Sequence, residues 1–449
     1  MSRLFGTDGI RALANAEPLT TELAFRLGRQ LVATLIEHHG LSKTRLVVGR
    51  DTRLSGPMLE AALVSGALSA GADVFSVGIL PTPGIALMTR RLEADCGVVL
   101  SASHNSFEDN GIKIFSGEGA KFPDAWEEEI EKRLREPDVA PWPTGAHIGR
   151  LQTHVKAEAE YAAHLRAGLP FDLAGLTLVL DCAQGATYRV APRLFRSLGA
   201  RVIALGTRPD GLNINKRAGA LHPDVVRKRV LATGAHLGLA FDGDGDRLIS
   251  VDERGEVRDG DHVLAICARH LATHGRLRGG VVVTTVMANL GLDRSLREAG
   301  IGVVKTQVGD RYVLEEMLKI GANLGGEQSG HVLFLDQSTT GDGIASALQL
   351  LAVMRETGQP LSELATCLTK FPQVLVNVPV REKLPLESIP GLTPRLQALD
   401  AEMDGSGRIL LRYSGTEALA RVMVEGEDQV RIEAIANELA GLIKTRIGR

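Results

Sequence analysis

The chain has 449 residues, too many for one hydrophobic core and enough for about three or four domains. With 44% apolar and 23% charged residues and a formal net charge of −3, it has the composition of an ordinary globular protein, and neither charge nor any basic run points to nucleic acid. No apolar stretch approaches the roughly 18 residues of a membrane span, and the N-terminus lacks the apolar core of a signal peptide. Cys96, Cys182, Cys267 and Cys367 are far apart, with no Cys-x-x-Cys pair, and read as buried reduced thiols of a cytoplasmic protein.

Gly6-Thr7-Asp8-Gly9-Ile10-Arg11 opens the chain as a Gly-bracketed polar turn. Thr20 then starts an amphipathic helix to about His39, with Leu23, Leu27, Leu31 and Leu35 at i, i+4 spacing. Residues 45–49 read as a strand and 50–53 as the loop beyond it. Pro57 suits the first turn of the next helix, which Gly71 ends, and residues 72–78 form another strand. The apolar run 96–100 empties into Ser101-Ala102-Ser103-His104-Asn105, ahead of Glu108 to Lys113. In open α/β sheets such carboxyl-end loops carry ligands, although a Ser/Asn-rich turn is the plain alternative.

The pattern Gly71-Ala72-Asp73-Val74 returns at 198–206 and at 299–304. Each copy has an earlier strand (46–48, 178–180, 281–283) and a later one ending in a very polar loop. The second later strand, 238–241, ends in Asp242-Gly243-Asp244-Gly245-Asp246-Arg247, and the third, 322–325, in Gly326-Glu327-Gln328-Ser329-Gly330-His331. The uneven spacing excludes a solenoid array. Chance recurrence of a common turn aside, it points to three related mixed α/β domains, each lending one loop to a central cleft. Residues 137–145 form a Pro-rich linker and 252–256 a charged turn. After Phe371-Pro372 come an alternating strand at 374–380, a helix, strands at 409–411 and 421–424, and a helix from Asp428, a smaller C-terminal α+β domain. The expected domains are 1–150, 151–253, 254–370 and 371–449.

Asp242, Asp244 and Asp246 alternate with glycines, and two carboxylates ~4 Å apart at an effective dielectric near 20 repel by about 4 kcal/mol. A hard divalent cation, Mg²⁺ or Ca²⁺, relieves that cost. An EF-hand is the competing reading, with Glu253 at position 12, but Arg247 stands where glycine is needed and the flanks read as strands. An unliganded acidic turn is the other. Arg412 and Arg421 around Ser414-Gly415-Thr416-Glu417 suit a phosphate, against surface arginines beside a turn. There is no Gly-x-Ser-x-Gly elbow and no P-loop. A cation site, an anion clamp and a loop serine together suggest phosphoryl transfer.

The four motifs at 101–105, 242–247, 326–331 and 412–417 occur in the order found in α-D-phosphohexomutases, which the chain resembles over essentially its whole length. Residues 5–11, Gln328 and 421–426 look like the bacterial branch that handles glucosamine phosphates. The resemblance implies an isomerase with a phosphorylated Ser103, passing through glucosamine 1,6-bisphosphate between glucosamine 6-phosphate and glucosamine 1-phosphate, and feeding UDP-N-acetylglucosamine and cell-wall synthesis. It implies one Mg²⁺ per chain on Asp242, Asp244, Asp246 and Ser103, with Lys113 as acid/base supported by His331 and Arg11. Arg247, Glu327 and Ser329 would bind the sugar, and Arg412, Ser414, Gly415, Thr416, Glu417 and Arg421 the non-reacting phosphate. The implied partner is a small sugar phosphate, not nucleic acid or membrane, and a homodimer is left open. Ser106 and Ala418 stand where this family usually has proline and Ala12 where it has glycine, which touches loop geometry only. The rivals are a phosphoglucomutase or phosphomannomutase, a sugar-phosphate sensor without catalysis, and a Mg²⁺-dependent phosphatase.

Overall fold

The apolar runs that end in polar loops form the cores of three mixed sheets, seen in a computed structural model that describes residues 4–6, 8–40, 43–137, 141–167, 169, 171–403, 406–414 and 418–449. Strands β1 (Ile10–Leu13), β2 (Arg45–Arg50), β3 (Asp73–Ile79), β4 (Cys96–Leu100), β5 (Asp109–Ser116) and β6 (Leu151–Thr153) pair in the order β1-β5-β4-β2-β3-β6. The second sheet holds β7 (Thr177–Asp181), β8 (Arg201–Leu205), β9 (Leu237–Phe241), β10 (Leu248–Asp252) and β11 (Val257–Arg258), ordered β11-β10-β9-β7-β8. The third holds β12 (Val281–Thr285), β13 (Gly302–Thr306), β14 (Leu324–Gly326) and β15 (Val332–Phe334), ordered β13-β12-β14-β15.

The three sheets share one topology. Leaving aside the edge strands β1, β6 and β11, the first strand of each is flanked by two parallel partners, β2 by β3 and β4, β7 by β8 and β9, β12 by β13 and β14. The last of these then turns back into an antiparallel fourth strand, β5, β10 or β15. Parallel neighbours need a crossover, here supplied by helices, whereas the antiparallel step needs only a loop. The polar loops are those hairpin loops, so they recur at the same corner of each sheet. The fourth strand goes beyond the sequence pattern, because β5 carries Asn110 and Lys113 within a fully buried run.

Thr20 accepts the Leu23 amide and caps the helix Thr21–His39, which Gly40 ends in the left-handed conformation. This helix lies against the helix Gly56–Ser69 closely enough that only glycine fits at the crossing. A Cβ on Gly28 would stand 2.2 Å from the Leu63 carbonyl oxygen, and one on Gly66 would stand 1.9 Å from that of Phe25. Behind them Leu27, Leu31, Leu46, Leu63 and Val98 are fully buried.

The chain divides into two compact units, 1–287 with 300–367, and 288–299 with 368–449. In the second, β16 (Gln373–Pro379), β17 (Gly407–Tyr413) and β18 (Leu419–Gly426) make an antiparallel sheet ordered β16-β18-β17. The helices Leu392–Met403 and Gln429–Ile447 cover it through Leu399, Leu439 and Ile443, and Asp428 caps the latter. The helix Leu290–Glu298 joins this unit through Asn289, whose amide donates to the Phe371 carbonyl and to Glu425, each at 3.0 Å. Cys96, Cys182 and Cys267 are buried and unpaired, while Cys367 is only half-buried. No helix among the described residues is long and apolar enough to cross a membrane.

Gly28→Ala and Gly66→Ala are each expected to destabilise the protein by about 1–3 kcal/mol by forcing the two helices apart, more than the ~1 kcal/mol that helix propensity returns. Urea unfolding midpoints of the two variants check this.

Candidate active site

Ser103 sits at the carboxyl end of β4 with φ +49°, a left-handed conformation that costs a non-glycine residue about 1–3 kcal/mol unless its surroundings hold it. They do. The Ser103 amide donates to Ser101 Oγ at 2.9 Å, and Ser101 Oγ donates to Asp51 at 2.6 Å. The fully buried Arg53 guanidinium donates to the carbonyls of Ser103, Asn105 and Asp109 at 2.9 Å each and to that of Ser106. Its Nε donates to Asp51 at 2.8 Å. From the second domain, the Asn215 amide donates to the Ser103 and Asn105 carbonyls at 2.8 and 2.9 Å. Gly243 permits this approach, since a Cβ there would lie 2.4 Å from the Ser103 carbonyl oxygen.

The Ser103 hydroxyl donates to Asp242 Oδ2 at 2.7 Å. Asp242, Asp244 and Asp246 are buried, and each offers an oxygen within 4.8 Å of the others. Asp244 Oδ1 and Asp246 Oδ1 have no hydrogen-bond partner. An all-oxygen, orphaned, mutually repelling donor set fits a hard divalent cation. The loop joins antiparallel strands, so it is not an EF-hand. Burial, then the charges of Asp246 and Asp244, raise the Asp242 carboxyl well above the usual carboxylate range. Against burial, Lys113, His331 and Arg247 hold Asp246 well below it.

Lys113, in the middle of β5, places Nζ 2.9 Å from Asp244, 2.9 Å from Asp8 and 3.4 Å from Asp246. Burial opposes its charge, but Asp244, Asp8 and Asp246 keep it protonated well above the ordinary lysine range. Arg11 pairs with Asp8, its Nε buried without a hydrogen-bond partner. His331 lies 3.6 Å from Asp246 and 3.9 Å from Asp310, and despite burial these carboxylates raise it to about 9. The Arg247 amide donates to Asp242 at 3.1 Å, and its guanidinium stands 3.8 Å from Asp246. His104 Nδ1 is 3.3 Å from Ser103 Oγ, and burial, then Arg247 and Arg11, lowers that imidazole to about 4. Glu327 accepts from the Gly309 amide at 3.1 Å and from the exposed Ser329 hydroxyl at 3.2 Å.

In the second unit, Arg412 on β17 is the direct cross-strand partner of Arg421 on β18. Like charges opposite one another are unfavourable on a sheet, and burial, then Arg421, lowers the Arg412 guanidinium. An anion between them removes that cost. Arg421 donates to Ser414 Oγ at 3.3 Å. Gly415, Thr416 and Glu417 lie outside the described residues. Of the three departures from the resemblance, Ser106 gives its carbonyl to Arg53, Ala12 pairs with Asn110, and the Ala418 carbonyl accepts the Val380 amide at 2.9 Å.

Sequence reading passed over Asp51, Arg53, Thr82, Asn215 and Asp310. Thr82 donates to Asp244 at 2.7 Å. Asp51 and Arg53 follow β2, and the carboxyl-end rule applied to that strand would have flagged them. No local pattern marks Asn215 or Asp310.

Comparison with known proteins agrees with this arrangement. Models of phosphoglucomutase/phosphomannomutase alpha/beta/alpha domains I, II and III and of the C-terminal domain match residues 2–140, 159–255, 259–371 and 375–442. The chain is 53% identical over 450 residues to the phosphoglucosamine mutase of Desulforudis audaxviator, covering 100% of this chain and 99% of that protein. It is 50% identical over 444 residues to that of Desulforamulus reducens, covering 99% of each. A phosphoglucomutase/phosphomannomutase family structure from Burkholderia thailandensis superposes with TM-score 0.82 at 26% identity, over 99% of this chain and 98% of that one.

Arg53→Ala removes a buried cation from Asp51 and from the carbonyls of the serine loop. It is expected to cost about 3–5 kcal/mol of stability, read from urea denaturation of the full chain.

Proposed function

The chain belongs to the phosphoglucomutase/phosphomannomutase family, and on that footing we propose that it interconverts glucosamine 6-phosphate and glucosamine 1-phosphate. It is an isomerase of the phosphohexomutase type in amino-sugar metabolism. The observation that carries the reading is Ser103 Oγ 2.7 Å from Asp242 of the buried three-aspartate cluster, in a chain half identical, end to end, to proteins named phosphoglucosamine mutase.

Ser103 carries the phosphoryl group. In the first transfer the bond between phosphorus and Ser103 Oγ breaks as a sugar hydroxyl oxygen bonds to phosphorus, giving glucosamine 1,6-bisphosphate. In the second, the other phosphate returns to Ser103. In each transfer the attacking hydroxyl loses its proton and the oxygen that leaves phosphorus gains one, and the protonated Lys113 is the group we assign to give the one and take the other, with His331 and Arg11 supporting. Asp242, Asp244, Asp246 and the Ser103 phosphate would hold one Mg²⁺, which when bound supplies positive charge against the transferring phosphoryl oxygens. Arg247, Glu327 and Ser329 take the sugar hydroxyls. Arg412, Ser414, Gly415, Thr416, Glu417 and Arg421 hold the non-reacting phosphate. On this reading 1–150 is the phosphoserine domain, 151–253 the metal domain, 254–370 the sugar domain and 371–449 the phosphate domain. Phosphate monoesters react extremely slowly without a catalyst, so positioning by the held loop around Ser103 is needed beside the charge.

Wild-type protein incubated with glucosamine 1,6-bisphosphate and Mg²⁺ is expected to gain one phosphate by intact mass, and Ser103→Ala none. Phosphate on the variant would sink the assignment of Ser103. Turnover on glucosamine 6-phosphate is expected to exceed that on glucose 6-phosphate, and the reverse order would indicate a phosphoglucomutase. Arg421→Ala, which loses a charge-assisted contact present in ground and transition states alike, is expected to raise KM by about 10–100-fold with little change in kcat.

A further inference from the structure

A second cluster of ligand atoms lies apart from the aspartate loop. His270, in the last turn of the helix Gly260–Thr273, and His274, at its C-cap, stand at i, i+4 spacing with ring centroids 4.4 Å apart. Glu356, near the end of the helix Gly343–Thr357, reaches both rings. Its Oε2 is 2.8 Å from His270 Nε2 and 4.0 Å from His274 Nε2. His274 Nδ1 lies 2.8 Å from the His270 carbonyl oxygen, an acceptor only, so the ring proton belongs on Nδ1 and the Nε2 lone pair is turned toward Glu356. A backbone carbonyl fixing the tautomer in this way is the usual support of a ligating histidine.

A simple ion pair would need only His270. Two Nε2 atoms facing one carboxylate oxygen is a three-donor arrangement, and one ligand atom from each of the three residues lies within 4.8 Å of the others. Around a tetrahedral ion with bonds of about 2.0–2.1 Å, donors stand roughly 3.4 Å apart, and the observed 2.8 and 4.0 Å bracket that value. Imidazole with carboxylate selects Zn²⁺, Co²⁺ or Ni²⁺ over Mg²⁺. The cluster borders an open hollow of about 490 Å³, also lined by Glu363, Thr366 and Cys367, so a further ligand has access. Arg276 is the competing cation, 3.8 Å from Glu356 and 3.4 Å from His270 Nε2, on a side chain that is more than half exposed.

We propose that His270 Nε2, His274 Nε2 and Glu356 form a binding site for a divalent transition-metal ion of the zinc class, separate from the oxygen cluster of the active site. The ion ties together two helices whose other ends carry active-site loops. The Gly260 amide donates to the Gln328 carbonyl at 3.1 Å and the Gly343 amide to that of Gly245 at 3.0 Å. Metal binding therefore braces the helices behind the sugar and aspartate loops.

The test uses the full chain, stripped with a chelator and held in excess Mg²⁺ to occupy the oxygen cluster. Zn²⁺ uptake is measured by competition with a chromophoric chelator, and Co²⁺ by its visible absorption. Wild-type protein is expected to bind one more Zn²⁺ than His270→Ala/His274→Ala, to show a tetrahedral Co²⁺ band that the variant lacks, and to gain thermal stability with Zn²⁺ where the variant does not. His274→Gln, which keeps the length of the side chain, guards against misfolding of the double variant. It is expected to weaken Zn²⁺ binding by at least about tenfold, the loss that even an outer-shell change causes, with unchanged circular dichroism. Equal Zn²⁺ uptake and equal Co²⁺ spectra in all three proteins would overturn the proposal.

Discussion

Three carboxylates held within one buried loop set the terms for everything around them. Each pair of such charges ~4 Å apart repels by about 4 kcal/mol even at an effective dielectric near 20, and burial removes the water that would screen them. The protein answers unevenly. Asp246 lies among Lys113, His331 and Arg247 and is held ionised, whereas Asp242 has the Ser103 hydroxyl as its side-chain partner and is driven toward its neutral form. The least compensated member of the cluster is thus Asp242, at its Ser103 end. That is where a divalent cation held by the aspartates gains most.

Repetition solves the problem of bringing such groups together. Each of the three sheets places a hairpin loop between its third, parallel strand and its fourth, antiparallel strand. Ligand-bearing loops gather at the carboxyl ends of parallel strands, and here one topology used three times puts a serine, an aspartate cluster and a Glu-Gln-Ser-Gly-His loop at equivalent corners. The fourth strand does more than return the chain. Lys113 projects from β5 into the aspartates, and the Leu248 amide at the start of β10 donates to the Gly330 carbonyl at 3.0 Å, fastening the second loop to the third.

The second unit carries the opposite electrostatic situation. Arg412 and Arg421 are direct partners across two strands, an arrangement that costs stability without an anion and gains it with one. Excess negative charge on one loop favours a cation there, and excess positive charge on one strand pair favours an anion there. The zinc-class cluster at the far ends of two helices answers to different chemistry, nitrogen donors in place of oxygen, and so selects a different metal.

Much of this was legible from one dimension. Strand positions followed from apolar runs ended by small polar residues, because burial and backbone hydrogen bonding act over a few residues. The three polar loops, the aspartate spacing and the arginine pair carried their chemistry in local residue choice, and the recurrence of a Gly-x-x-Val turn between strands pointed to the threefold architecture. The grip on the serine loop was not legible. Arg53 and Asn215 act on the serine loop across 50 residues or more of chain; a strand end marks Arg53, but nothing in the neighbours of Asn215 or Asp310 distinguishes them from solvated side chains until folding removes the water. Helix–helix approach at Gly28 and Gly66, the antiparallel fourth strands and the meeting of His270 and His274 with Glu356 likewise depend on packing between distant segments. Residue chemistry is written locally, whereas burial and partnership exist only once the chain has closed on itself.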